Sequence, residues 1–421
     1  MKLKIRYHTF LVGIIIVIFF FFTYGYHISS NERITPYTLH GYTLLFLLFV
    51  YFRVMMYSKY KSSIIRYWGS GIIIFIIFMI SRLSIAGLHE NISAGIVVPT
   101  SQLMFLFLFI DIVNCFKYNR REVIRLYCNF IIVFSTVSLI FAIYGFFVGS
   151  FSLGIIRYTE LADSSLRLSG WYGSPNSLGP VLAVGIFCII FVLLNKQNYS
   201  LTRKKRFLLY NLLILNFMGL LFTGSLGTLI SLILGLSVFI GNKLWNLKKY
   251  SSQALLSVLT IFILISLTIP LLSLMGYDYS VIIQEYFRAD RLDDVESVGR
   301  YYYWASSIQI FQQASISEML LGHGPGYLGE YFGRSAHSGY LNIMINYGLV
   351  NLLILIILIY KIIKKCLKTN DQYELGSFIL GILTFMTFKN ITNNEIPSNG
   401  FIGILFIWTI VVIYHRHVIQ K

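Results

Sequence analysis

Acidic residues are scarce in this chain: 17 aspartates and glutamates stand against 34 lysines and arginines in 421 residues. No Asp-x-Asp sequence occurs anywhere, so the simplest carboxylate holder for a metal beside a diphosphate is missing. Cysteine is also sparse. Cys115, Cys128, Cys188 and Cys366 fall in apolar segments or at their basic ends, and none lies in a polar loop, which excludes a disulfide framework and a zinc site. Charged residues of both signs make up only 12% of the chain, against 57% hydrophobic. A soluble protein of this size could not hide so much apolar surface, so bilayer must cover it. There is no internal repeat, low-complexity linker or soluble domain. No small-x-small cleavage signal follows Phe22, so the first apolar segment reads as a retained anchor.

What is present is a series of apolar runs near the length of about 20 residues that crosses hydrocarbon. Twelve can be placed, near residues 9–28, 37–57, 66–84, 92–114, 124–148, 175–195, 207–223, 226–241, 253–274, 337–360, 376–394 and 400–415. The seventh and eighth are short and joined only through Thr223-Gly224-Ser225. With the N-terminus inside, 24 of the 34 basic residues fall at inner ends, in clusters such as Arg203-Lys204-Lys205-Arg206 and Lys361 to Lys368. The outer side keeps Arg33, Arg82, Arg157, Arg167, Arg288, Arg291, Arg300, Arg334 and Lys389. This positive-inside distribution explains the net charge of +17 without nucleic acid and puts both termini in the cytoplasm. The expected fold is an all-α, multi-pass integral domain over 1–421, with one large extracytoplasmic loop at 276–336.

Two outer segments interrupt the short connections. The first, 149–174, carries RYTELADSSLRLSGWYGSPN. The second is the large loop, with Arg288, Arg291, Arg300 and Arg334, a glycine-rich turn from Gly322 to Gly329, and His337 at the mouth of the next span. Within it, residues 297–313 predict a helix, because Trp304, Ile308 and Phe311 recur at helical spacing and Asp293, Asp294 and Glu296 precede them. That helix suits the membrane interface. The loop tyrosines fit either interfacial anchoring or stacking on sugars. Its arginines fit either lipid headgroups and neighbouring acids or a dedicated anion site.

The outward helix starts supply candidate chemistry. Ser174 and Pro175 open the sixth span, with Asn176 behind them, and Ser335 is placed to cap the tenth, which sets His337 in its first turn. Both starts aim backbone N–H groups and a positive dipole end outward, where phosphate binds. Arg167 lies just before the first start, and Arg300 and Arg334 are available to the second. Arginine forks match diphosphate oxygens bidentately. A histidine at a helix N-terminus tends to stay neutral and able to accept a proton.

In order, these elements are RLSGWYGSPN from Arg167, RYYYW from Arg300, GHGPG from Gly322 and HSGYL from His337, followed by Tyr347-Gly348. This constellation resembles the O-antigen ligase and polymerase superfamily of bacterial envelope glycan assembly. Its motifs lie between Arg167 and Gly348, and its architecture covers the whole chain. There are two departures. Many members have Asn where this chain has Ser338, and many have Ser-Arg after the seventh span where this chain has Ser225-Leu226. Arg82 or Lys389 would then supply the cation. The resemblance implies a GT-C-like membrane fold in the cytoplasmic (inner) membrane and transfer of a glycan from an undecaprenyl-pyrophosphate carrier on its outer face. Arg167 and Arg300 would hold the leaving diphosphate, and His337 would orient or deprotonate the acceptor hydroxyl. Arg334, Arg82, Lys389 and Asn176 are secondary candidates. Without Asp-x-Asp, arginine is the remaining positive charge, so no metal and no cofactor is expected. The implied partners are lipid-linked oligosaccharide, membrane lipid and a chain-length regulator.

Three function classes remain in view. The leading one is a polymerase joining repeat units of a capsular or O-antigen polysaccharide, with a ligase of finished glycan as its nearest rival. A flippase-type transporter would call for ionisable groups at mid-bilayer, and the spans hold few. An assembly scaffold would need none of these motifs.

Overall fold

The computed structural model describes residues 70–88, 99–100, 102–110, 120–148, 151–153, 156–158, 168, 175–195, 199, 201–247, 295–332, 338–368, 373–392 and 401–414. In chain order the elements are α1 (Ser70–Ala86), α2 (Arg120–Val148), β1 (Phe151–Leu153), β2 (Ile156–Tyr158), α3 (Pro175–Leu194), α4 (Arg203–Phe222) and α5 (Leu226–Leu247). They continue with α6 (Val295–Gln313), α7 (Ile316–Leu321), α8 (Tyr327–Phe332), α9 (Gly339–Lys368), α10 (Tyr373–Thr392) and α11 (Phe401–Tyr414). Among the described residues four helices are long and apolar enough to cross a bilayer, and four shorter apolar helices accompany them. This is a helical membrane protein. The expected spans at 9–28, 37–57 and 253–274, and the large loop up to residue 294, lie outside the described residues.

One departure from the all-helical expectation falls in the first outer segment. There β1 and β2 form an antiparallel pair, with Phe151 opposite Tyr158 and Leu153 opposite Ile156. Two short runs rich in aromatic and β-branched residues flank Gly154, which suits a tight hairpin better than a helix. The weakly placed seventh and eighth spans are two distinct helices, α4 and α5. Gly224 at φ 59 makes the reversal between them.

The described chain divides into two compact units. The first lies within 124–293 and 373–385. Its centre is α3, apolar all round and buried from Leu178 to Val192, as a helix surrounded by other helices should be. It packs on α4 and α5. Small residues let backbones approach: a Cβ on Gly235 would lie 2.7 Å from the Gly381 carbonyl oxygen, and one on Gly185 would strike Ser135. Aromatic rings fill the remainder, with Phe191 stacked on Phe378 at 4.1 Å and Phe187 tilted against Phe239 at 5.5 Å. Thr202 caps α4 by accepting from the Lys205 N–H at 3.3 Å. The four basic residues after it oppose the helix dipole, so they read as a membrane-face signal rather than a helix stabiliser.

The second unit lies within 39–123, 294–372 and 386–421. Here α9 packs against α1 and α11, and α6, α7 and α8 gather on its first half. Leu328 and Ile345 form a small core, ringed by Ile310, Phe311, Tyr327, Phe332, Leu341 and Met344. The predicted loop helix is α6, but its inner face is rotated from the expected stripe. Ser307 is fully buried and Ile308 is 47% exposed, because Ile310 and Phe311 turn toward Leu328 and Ile345.

Candidate functional site

The tenth span is not one straight helix. Gly348 adopts φ 78 and ψ 173 inside α9, breaking it into residues 339–347 and 349–368. The second piece runs about 30 Å at 1.5 Å per residue, which is a full hydrocarbon thickness. Its far end carries Lys361, Lys364, Lys365 and Lys368. Only residues 349–360, about 18 Å of helix, separate the break from Lys361, so the break lies within the apolar run.

A break leaves carbonyls without their usual partners four residues on. In a continuous helix those of Ile345 and Asn346 would accept from residues 349 and 350. Here the glycine-rich turn takes them instead. The His323 N–H donates to the Ile345 carbonyl at 2.9 Å and the Gly324 N–H to that of Asn346 at 3.1 Å. The Leu328 N–H donates to the Asn346 Oδ1 at 3.4 Å. Gly322 caps α7 at φ 85, and a Cβ there would meet the Asn346–Tyr347 backbone. A Cβ on Gly348 would in turn meet the backbone of Leu320 and Leu321. The loop and the broken helix fit each other only as glycine on both sides. Upstream, Ser315 and Glu318 form a capping box that starts α7. Hydrogen bonds from Ser315 hold the Glu318 carboxyl below its ordinary value. The His323 ring lies 4.5 Å from that of Tyr327, whose hydroxyl burial pushes upward.

Arg82, expected as an outer cation and a secondary site candidate, is buried on α1 at 3% exposure. Its Cζ lies 4.3 Å over the Tyr347 ring and 5.9 Å over that of Phe78. Its Nε and Nη1 have no hydrogen-bond partner. Next to it, the Ser81 hydroxyl donates to Asn351 Oδ1 at 2.7 Å, and Asn351 Nδ2 donates back to the Tyr347 carbonyl at 3.0 Å. This polar clasp, and the break it spans, escaped the sequence reading. A glycine in the middle of the apolar run was the available signal.

At the other end of the first half-helix, α9 starts at Gly339 with buried Ser338 before it, beyond the cap expected at Ser335. A Cβ on Gly339 would strike the Asn390 side chain, and the Tyr340 hydroxyl donates to the Thr387 carbonyl at 3.1 Å. Lys389, on the same turn of α10, is 2% exposed. His337 and Arg334 lie outside the described residues. Arg300 stands in the early part of α6.

In the first unit, the α4–α5 turn is a polar knot. The Ser225 hydroxyl donates to Asn176 Oδ1 at 3.1 Å and lies 2.7 Å from the Thr228 hydroxyl. A Cβ on Gly179 would come within 3.1 Å of Ser225. Arg167 is outside the described residues, but Leu168, directly after it, is buried and donates its N–H to the Phe222 carbonyl at 3.0 Å. Asn176 is thus tied to the α4–α5 turn.

Residues 211–356 match the family model described as O-antigen ligase. The matched stretch takes in the later part of α4, α5, Arg300, the glycine-rich turn, His337 and the break at Gly348, and leaves out Arg82, Arg167, Asn176 and Lys389. No curated protein matches the chain.

Proposed function

We propose that this protein, a member of the O-antigen ligase and polymerase superfamily, is a membrane glycosyltransferase that polymerises lipid-linked oligosaccharide repeat units at the outer face of the cytoplasmic membrane. The observation that carries the reading is the family match over 211–356, because it encloses Arg300, the glycine-rich turn and His337. The docking of that turn on the broken α9 supports it further: the chain on either side of His337 is held by backbone hydrogen bonds rather than left as a loose connection.

In this reading the acceptor hydroxyl oxygen attacks the anomeric carbon of the donor glycan. The bond from that carbon to the diphosphate oxygen breaks, and its electron pair leaves with the lipid diphosphate. Arg167 and Arg300 neutralise the charge that develops there, and His337 takes the hydroxyl proton. Arginine alone provides the positive charge, so turnover needs no divalent ion.

The description of the matching family favours a second reading, transfer of finished glycan to another acceptor by the same leaving group and base. Deletion followed by analysis of surface glycan separates the two. A single repeat unit left on its acceptor supports the polymerase, and polymer accumulating on the carrier supports the ligase. Unchanged surface glycan would overturn both.

A further inference from the structure

The described part of the large loop gathers aromatic rings into one line. The His323 ring lies 4.5 Å from that of Tyr327, and Tyr331 follows, nearly parallel to Tyr327 at 6.0 Å. Phe332 meets Tyr331 edge-on at 4.8 Å, and Tyr303 and Tyr302 of α6 meet Phe332 at 5.1 and 6.3 Å. Tyr331 and Tyr302 are 61% and 56% exposed. The scaffold beneath is fixed: Leu328 is buried, and the turn that carries His323 is hydrogen-bonded to the broken α9. Rings already held in place lose little freedom when a ligand lies on them.

Aromatic residues at a membrane surface commonly serve as interfacial anchors, and such segments carry lysine or arginine on their polar face. Residues 301–332 hold no lysine or arginine, in a chain with 34 of them. Their acidic residues are Glu318 and Glu330, and Glu318 is close enough to His323 and Tyr327 to interact electrostatically with both. Lipid phosphate would repel these carboxylates, whereas hydroxyl groups donate to them. The exposed aliphatic residues suited to lipid, Ile316, Leu320 and Leu321, belong to α7, which contributes no ring to the line. A sugar residue complements what the line presents, with an apolar C–H face for the rings and hydroxyls at its edge for the carboxylates.

We propose that the line from His323 to Tyr302 is a stacking track for uncharged sugar residues of the glycan, those beyond the residue that reacts. Tyr303 stands one helical turn from Arg300, so a chain held on the track runs toward the group assigned to the leaving diphosphate. The choice of glycan as occupant rests on the glycosyltransferase reading above, and the track itself takes no part in bond making.

The test uses the full-length protein in neutral detergent and polysaccharide released from the surface of the cells that make it. Binding is read by saturation transfer from protein to sugar protons, and saturable binding is expected in the wild type. A Tyr302→Leu/Tyr331→Leu double variant keeps apolar bulk at two exposed positions, so its fold is preserved, and its affinity should fall about tenfold. Changing both tyrosines to phenylalanine keeps the rings and should leave the affinity as in the wild type. No saturable binding in the wild type overturns the track, and so do equal affinities in wild type and leucine variant, which would leave the rings as interfacial anchors. A phenylalanine variant as weak as the leucine variant overturns it too, because the hydroxyls and not the ring faces would then make the contact. The glycosyltransferase reading fails by a different result, unchanged surface glycan after deletion of the protein.

Discussion

Replacing Gly348 with alanine tests the coupling between loop and helix directly. At φ 78 and ψ 173 an L side chain is strained by about 1–3 kcal/mol. The added Cβ would also meet the backbone of Leu320 and Leu321, so the loop cannot stay where it is. Releasing it gives up the hydrogen bonds from His323 and Gly324 to the Ile345 and Asn346 carbonyls, each contributing about 1 kcal/mol. The helix has an escape: with alanine at 348 it can straighten, and those two carbonyls regain partners within α9. The variant should therefore insert and remain helical while the loop undocks at a relative gain of about 2–4 kcal/mol. Amide hydrogen exchange at His323 and Gly324 should accelerate about 30- to 1000-fold, since each 1.4 kcal/mol is a factor of ten. Exchange in α3 should not change. Surface polymer should fall with the undocking. An inserted Gly348→Ala protein whose His323 and Gly324 amides exchange at the wild-type rate would refute this account of the break.

Other expectations concern the proposed chemistry and its setting. Arg167→Ala, Arg300→Ala and His337→Ala should each reduce polymer per unit of inserted protein about 30- to 1000-fold; arginine to lysine should rescue only in part, and wild-type polymer length from both Arg300→Ala and His337→Ala would remove the assignment. Purified enzyme should turn over lipid-linked substrate in excess chelator, and activity restored only by a divalent ion would contradict that. A cysteine at position 291 should react with an impermeant reagent from outside the cell; reaction only from the cytoplasm would invert the topology. The Glu318 carboxyl is held below its ordinary value, so its support for α7 is complete above the unfolded value of about 4.3 and is lost as pH falls through the lower folded value. A spin label at Ile316 should gain mobility in acid in the wild type and show no such transition in Glu318→Gln.

Hydropathy located most of the helices because a crossing segment must satisfy its backbone internally and face lipid, and both demands are written in composition. The expected 175–195, 376–394 and 400–415 are found as Pro175–Leu194, Tyr373–Thr392 and Phe401–Tyr414. Hydropathy is blind to dihedral angles, so the run 337–360, which contains Gly348, read as one unbroken span. The loop helix was legible from its period, but its facing was not. Which side of α6 turns inward depends on Leu328 and Ile345, distant partners that a local pattern cannot contain. Arg82 shows the same limit. Composition places it among the outer cations, and only the position of Tyr347 reveals that it is enclosed. The motif around Arg167, Arg300 and His337 was readable as a family pattern, and residues 211–356, which enclose Arg300 and His337 but not Arg167, match the family model described as O-antigen ligase.

The reciprocal fit of Gly322 and Gly348 limits how a defect at either position can be repaired. The atoms that obstruct a new side chain are the Leu320 carbonyl and Leu321 nitrogen on one side and the Asn346–Tyr347 peptide on the other. These atoms belong to the main chain, and every amino acid supplies them. Trimming a facing side chain therefore opens no room. In a genetic screen starting from a substituted Gly348, second-site revertants should not arise as smaller residues at 320 or 321. They should arise as insertions or deletions that change the length of the 314–326 connection, or as true reversion.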